Sequence, residues 1–159
     1  MLCNRNCKNA HGMEHRWLFH QGKDIYAYKY FGAHFAEVDG VSGVVFRVWA
    51  PDALSVSVVG DFNNWDKNAN IMKNPEDDKT VWEVFVPNLH EYDLYKYSID
   101  TTYGTTLLKA DPYAFHAETR PGTASKIYDL DGFSWGDSNW IEYRSEHSAF
   151  SEAMNIYEV

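Results

Sequence analysis

Alternation with a period of two, broken at short intervals by turn residues, is the feature that most limits what this chain can fold into. After Asp39-Gly40 and Ser42-Gly43, the residues Val44, Phe46 and Val48 alternate with Val45, Arg47 and Trp49, so an extended strand would carry one set on each face. Leu54, Val56 and Val58 alternate with Ser55 and Ser57 as far as Gly60, the pattern of a sheet with one solvated face. Further strands are read at 80–86 (TVWEVFV), 92–99 (YDLYKYSI), 105–109 (TTLLK) and 126–130 (KIYDL), with turn-rich stretches between them. Short strands in such a series, uninterrupted by any long helix, favour a β-sandwich over an alternating α/β fold.

The flanks read differently. Residues 1–16 are polar and are expected to form a disordered leader, whereas 17–38 read as a short helical segment, with Ile25, Tyr28 and Phe31 at helical spacing, Asp24 as a cap and Gly32 as a stop. The sandwich is expected over 39–130, an aperiodic polar linker over 131–152, and an apolar stretch at the end. At 159 residues the chain suits one such unit and is too short for a barrel enzyme of roughly 250 residues.

A formal net charge of −9, from 14 Lys and Arg against 23 Asp and Glu, disfavours nucleic acid and acidic membrane surfaces as partners. No run reaches the roughly 20 apolar residues of a membrane span, and MLCNRNCKNAHGMEH lacks the apolar middle of a secretion signal. A cytoplasmic protein is expected. The two cysteines, Cys3 and Cys7, lie outside every expected strand, so the core and not a disulfide framework must hold the fold. Cys3, Cys7, His11 and His15 recur every four residues and on a helix would offer a zinc-like ligand set. The segment carries Gly12 and lacks an apolar stripe, and zinc sites separate their ligand pairs by a longer loop, so no metal and no cofactor is expected.

Several strings in a fixed order carry a resemblance: WLFHQG at 17–22, FGAH at 31–34, FRVWAP at 46–51, VGDFNNWD at 59–66, YKY at 95–97, KADPYAF at 109–115, RPGTAS at 120–125 and NIYEV at 155–159. Together they resemble bacterial 1,4-α-glucan branching enzymes of the α-amylase superfamily. The resemblance implies an immunoglobulin-like β-sandwich of the carbohydrate-binding module family 48, or E-set, type. It also implies that 153–159 begin the first strand of a catalytic barrel, where the parent enzyme would transfer a cut α-1,4 chain to a 6-hydroxyl through two carboxylates. None of those carboxylates matches a position here, so no catalytic residue is expected. Asp24, Asp39, Asp61, Asp66, Glu76, Asp77 and Asp78 read as caps, turn formers and solvated charge.

Aromatic residues make up 16% of the chain, more than packing alone requires. Trp65 closes the GDFNNWD turn, where Asn63 and Asn64 favour a tight bend, and its indole would offer a platform for the apolar face of glucose. Lys96, pointing away from Tyr95 and Tyr97 by strand alternation, and Asn63 or Asn64 would supply polar contacts. The resemblance adds Tyr103 as a second stacking ring, although TTYG departs from the related modules. The competing reading has Trp65 packed on the sandwich edge or on the barrel and Lys96 solvated. Trp49, Trp82 and Phe46 read as core, and KADPYAF as an ordered structural loop facing the barrel.

The expected partners are therefore an α-glucan, such as glycogen or malto-oligosaccharides, and the protein's own catalytic barrel. A purely structural domain is the second reading. An independent glycogen-targeting subunit is a third, argued against by NIYEV and WLFHQG.

Overall fold

The computed structural model describes residues 8–131, 133–148, 150, 153 and 155–158, with side chains from residue 12 onward. Its described strands form two antiparallel sheets. In the first, β1 (Gly32–Val38), β2 (Val41–Trp49) and β4 (Val81–Pro87) lie in the order β1-β2-β4. The second has β3 (Ala53–Gly60) against one edge of β5 (Leu94–Thr101), with β6 (Thr106–Lys109) and β8 (Ser125–Lys126) sharing the other edge and β7 (His116–Ala117) beyond β8.

Alternation sets the core. Val44, Phe46 and Val48 of the first sheet and Val56, Val58, Tyr95 and Tyr97 of the second are buried in one cluster with Trp82, Met72 and Ile127. Two sheets sharing a single apolar interior make a β-sandwich, as the sequence implied. Phe46 and Tyr95 meet edge-on across it, ring centroids 5.0 Å apart, an arrangement aromatic quadrupoles favour.

Asp111 is a buried charged residue beside this interior. Its Oδ2 accepts hydrogen bonds from the hydroxyls of Tyr95 and Tyr97, while Oδ1 accepts from the Tyr113 backbone N–H. Burial pushes its carboxyl above the usual range against the opposing effect of these donors. KADPYAF is thus an ordered loop anchored through its aspartate.

The structure departs from the sequence reading in several places. Helix α1 (Lys8–His20) starts inside the stretch expected to be a disordered leader. It is held through its side chains: Arg16 donates to both oxygens of Asp77, His15 Nδ1 lies 2.6 Å from Asp24 and His20 Nε2 lies 2.8 Å from Asp78. Within the expected helical segment 17–38, Ala27–Lys29 form one 3-10 turn and Gly32–Val38 form β1, paired along its length with β2. Ile25 and Tyr28 are exposed, so their spacing is not an apolar stripe, and Asp24 accepts from the Tyr26 N–H as a turn former. Trp49, expected in the core, is 46% exposed and packs edge-on against Phe19.

Residues 130–159 form a second compact unit. There, α2 (Ser138–Glu146) occupies part of the expected linker, with Trp140 stacked on Tyr143 and Tyr143 on His147. The stretch 153–159, expected to begin a barrel strand, contains no strand among its described residues. A strand needs neighbours for its backbone hydrogen bonds.

Cys3, Cys7 and the side chain of His11 lie outside the described residues. His15, the remaining member of that set, is engaged with Asp24 and stacks on Tyr30. Among the described residues no group of three metal-ligating side chains comes together, and no helix is long and apolar enough to cross a membrane.

Candidate glucan-binding site

The Trp65 turn grows directly out of the end of β3. Gly60 lies so close to the Leu94 carbonyl and the Phe62 ring that a Cβ would collide with both, which explains glycine there. Asp61–Asn63 make a 3-10 turn, and Asn64 and Trp65 follow in the left-handed region, at φ 54° and 59°. The Trp65 N–H closes the loop on the Gly60 carbonyl at 2.9 Å.

Side chains hold this shape. Asn63 Oδ1 accepts from the Gly60 N–H at 3.0 Å, while Nδ2 donates to the Val58 carbonyl at 2.9 Å and to Asn70 Oδ1 at 2.7 Å. Both amide hydrogens of Asn63 are therefore committed inside the turn, so this residue shapes the site and its Nδ2 does not reach outward for a ligand. Trp65 Nε1 donates to Asp61 Oδ1 at 2.8 Å, which fixes the indole while 38% of the residue stays exposed. Asn64 is exposed beside it.

A second tie reaches the β5–β6 hairpin. Lys67 Nζ donates to Asp100 Oδ1 at 3.1 Å and to Thr106 Oγ1 at 3.2 Å, and Thr106 Oγ1 in turn donates to Asp100 at 2.6 Å. Hydrogen bonds from Thr106 and Lys67 hold the Asp100 carboxyl below the usual range. Tyr103 sits at the tip of this hairpin, 92% exposed, with Gly104 at φ 76° making the bend. The structure thus ties the Trp65 turn to the hairpin that carries Tyr103. Sequence reasoning missed Lys67, Asp100 and Thr106 because no local pattern links residues so far apart along the chain. The Asp61–Trp65 contact spans only four residues, yet Asp61 had been read only among the caps, turn formers and solvated charges.

Lys96 lies on the outer face of the second sheet, between the inward Tyr95 and Tyr97, as alternation requires. It pairs across the sheet with Val59, the residue before Gly60. Its Nζ donates to Thr123 Oγ1 at 2.6 Å, an exposed bond that pins the amine to the RPGTAS loop.

The arrangement offers groups of the kind that can take up a sugar. It presents one fixed ring and one fully exposed ring on an outer surface, with Asn64 and Lys96 as nearby polar groups. Rings of this kind bind the apolar faces of sugars while polar groups take hydroxyls.

The model for carbohydrate-binding module 48, the isoamylase N-terminal domain, matches residues 30–114, which include the turn, Lys96 and Tyr103. The chain belongs to this family. It is 47% identical over 141 residues to a 1,4-alpha-glucan branching enzyme GlgB of Bacillus mycoides (strain KBAB4), a match covering 89% of this chain and 22% of that protein. A GlgB of Bacillus cytotoxicus is likewise 47% identical with the same coverage. The chain therefore spans 22% of the length of these curated relatives. Among solved structures, a pullulanase from Anoxybacillus sp. LM18-11 in complex with maltotetraose superimposes with TM-score 0.51 at 25% identity, over 63% of this chain and 14% of that one.

Proposed function

We propose that the chain is the glucan-binding and positioning domain of a 1,4-α-glucan branching enzyme. In this reading the immunoglobulin-like sandwich holds an α-glucan chain at the Trp65 turn. A catalytic barrel elsewhere in the protein cuts α-1,4 bonds and forms α-1,6 branches in glycogen, in the cytoplasm. No residue of this chain is assigned a catalytic role.

The observation that carries the reading is the way Trp65 is held. A bulky residue in the left-handed region costs about 1–3 kcal/mol, yet Trp65 sits there partly exposed with its indole Nε1–H donating to Asp61 Oδ1. Such strain fits a ring kept ready for a ligand better than a ring placed for packing. Trp65 provides the stacking platform, Tyr103 the second ring, Asn64 and Lys96 the hydroxyl contacts, and Asn63 the shape. The similarity to branching enzymes supports the substrate class. Isothermal titration with a malto-oligosaccharide tests it, with Trp65→Ala expected to weaken binding at least tenfold.

A structural role is the second reading, favoured by the exposed apolar residues Trp17, Ile25 and Tyr26. Under it the sandwich would pack on a barrel and bind no sugar by itself.

A further inference from the structure

The outer face of the first sheet carries a cleft that shares no lining residue with the Trp65 turn. Its floor is two cross-strand pairs of β2 and β4, Val45 with Phe85 and Arg47 with Glu83. One wall is α1, through Met13 and Arg16, and the other is the 71–77 segment, through Ile71 and Lys73. The Arg16–Asp77 pair joins the two walls. The cleft encloses about 660 Å³, within the ~300–1,000 Å³ of small-molecule sites.

Its charges cancel: Arg16, Arg47 and Lys73 face Glu76, Asp77 and Glu83. Tyr30 lies between the two guanidinium groups, Arg47 at 4.6 Å and Arg16 at 5.8 Å from its ring centre. Arg16 also donates to the Tyr30 hydroxyl at 2.6 Å. Arg47 donates through Nε to Glu83 and through Nη1 to the Tyr30 carbonyl, leaving Nη2 without a partner among the described residues. An ionic ligand would disturb this balance on either sign. A neutral ligand with hydroxyls along its edge and apolar C–H faces would meet the free donor, the carboxylate oxygens and the apolar floor together.

We propose that this cleft is a second carbohydrate site, which takes a short α-1,4-linked glucan segment on Val45 and Phe85 with Arg47 and Glu83 reading its hydroxyls. The choice of sugar rests on the proposed function of the module, whereas the site itself is separate from Trp65. Two sites on different sheets would let one module hold two chains, or two stretches of one chain, of a branched polymer.

Amide chemical shifts of the ¹⁵N-labelled chain, followed during titration with maltoheptaose, test this directly. Amides of Val45, Lys73 and Phe85 are expected to move saturably both in the native chain and in Trp65→Ala. In Val45→Trp, which fills the floor, they should stay still while the Asn64 and Trp65 amides continue to respond. Should that variant not fold, Lys73→Glu serves, with an expected threefold or greater loss of cleft affinity. Cleft amides that remain still while the turn saturates would overturn this proposal and leave the first intact. Cleft shifts that vanish in Trp65→Ala would reduce the two sites to one. Movement with protein concentration alone would assign the cleft to a second copy of the chain, and silence at both sites would sink both readings.

Discussion

Tyr95 and Tyr97 both donate to one oxygen of Asp111, at 2.7 and 3.1 Å. The two tyrosines flank Lys96, so the bonds that bury them also fix the direction in which Lys96 leaves the sheet. A buried carboxylate on one loop thereby sets the orientation of a candidate sugar contact on the opposite face.

Asp111→Ala leaves the buried Tyr95 hydroxyl and the Tyr113 N–H without their acceptor, each a loss of about 1–3 kcal/mol, and the Tyr97 hydroxyl with only the Arg47 carbonyl 3.4 Å away. We expect the chain to lose roughly 3 kcal/mol or more of stability, read by urea denaturation. Asp111→Asn should recover a large part, because its amide oxygen can take the place of Oδ2 and accept from both tyrosine hydroxyls, while its amide nitrogen cannot accept from the Tyr113 N–H.

The same residue gives a pH signature. Burial raises the Asp111 carboxyl above its unfolded value, so between the two values the folded state binds more protons than the unfolded one. This group's contribution is most favourable at low pH and is lost as pH rises from the ordinary carboxylate value through the raised one. Urea midpoints across that window should fall less with rising pH in Asp111→Asn than in the native chain, once other carboxylates are subtracted. An identical slope would contradict the assignment.

Asn63→Ala removes three hydrogen bonds inside the Trp65 turn. A stability loss of about 1–3 kcal/mol is expected, with faster amide exchange at Asn64 and Trp65. Glucan affinity should fall as well, through loss of shape. Asn64→Gly keeps the left-handed backbone at no steric cost, so stability should stay within about 0.5 kcal/mol. Any loss of affinity in that variant then measures the Asn64 amide itself.

Arg16→Met deletes the two-point bond to Asp77 and the bond to the Tyr30 hydroxyl while keeping much of the apolar stem. A cost of about 1–2 kcal/mol is expected, with reduced helical circular dichroism from α1. The Arg16 hydrogen bonds hold the Asp77 carboxyl below its usual value, so the native chain's advantage over Arg16→Met should be present above the ordinary carboxylate range and fade as pH falls through the lowered value.

The sandwich was legible where burial enforces alternation. The strand period separated Val44, Phe46 and Val48 from Val45, Arg47 and Trp49, and Tyr95 and Tyr97 from Lys96, and the first set of each pair is the buried one. β1 was not legible, since GAHFAEV has few branched apolar residues and relies on β2 for its partners. α1 was hidden for a similar reason: Arg16–Asp77, two histidine–aspartate contacts and the single ring of Phe19 on Phe31 hold it, with no periodic apolar stripe. At the site, the Trp65 turn followed from the asparagines and glycine of GDFNNW, and the outward direction of Lys96 followed from strand period. What could not be read was long-range. Lys67 reaching Asp100, and Lys96 reaching Thr123, depend on how turns meet after folding. Trp49 shows the same limit, because its strand face was right but the surface over it is only partly covered.

The most direct test of the central claim is calorimetric titration of this chain with maltoheptaose, with Trp65→Ala and Lys96→Ala beside it. Saturable heat in the native chain, weakened at least tenfold by Trp65→Ala and to a smaller degree by Lys96→Ala, is the expected result. Equal affinity in all three proteins, or no binding by the native chain, would contradict a glucan site at the Trp65 turn.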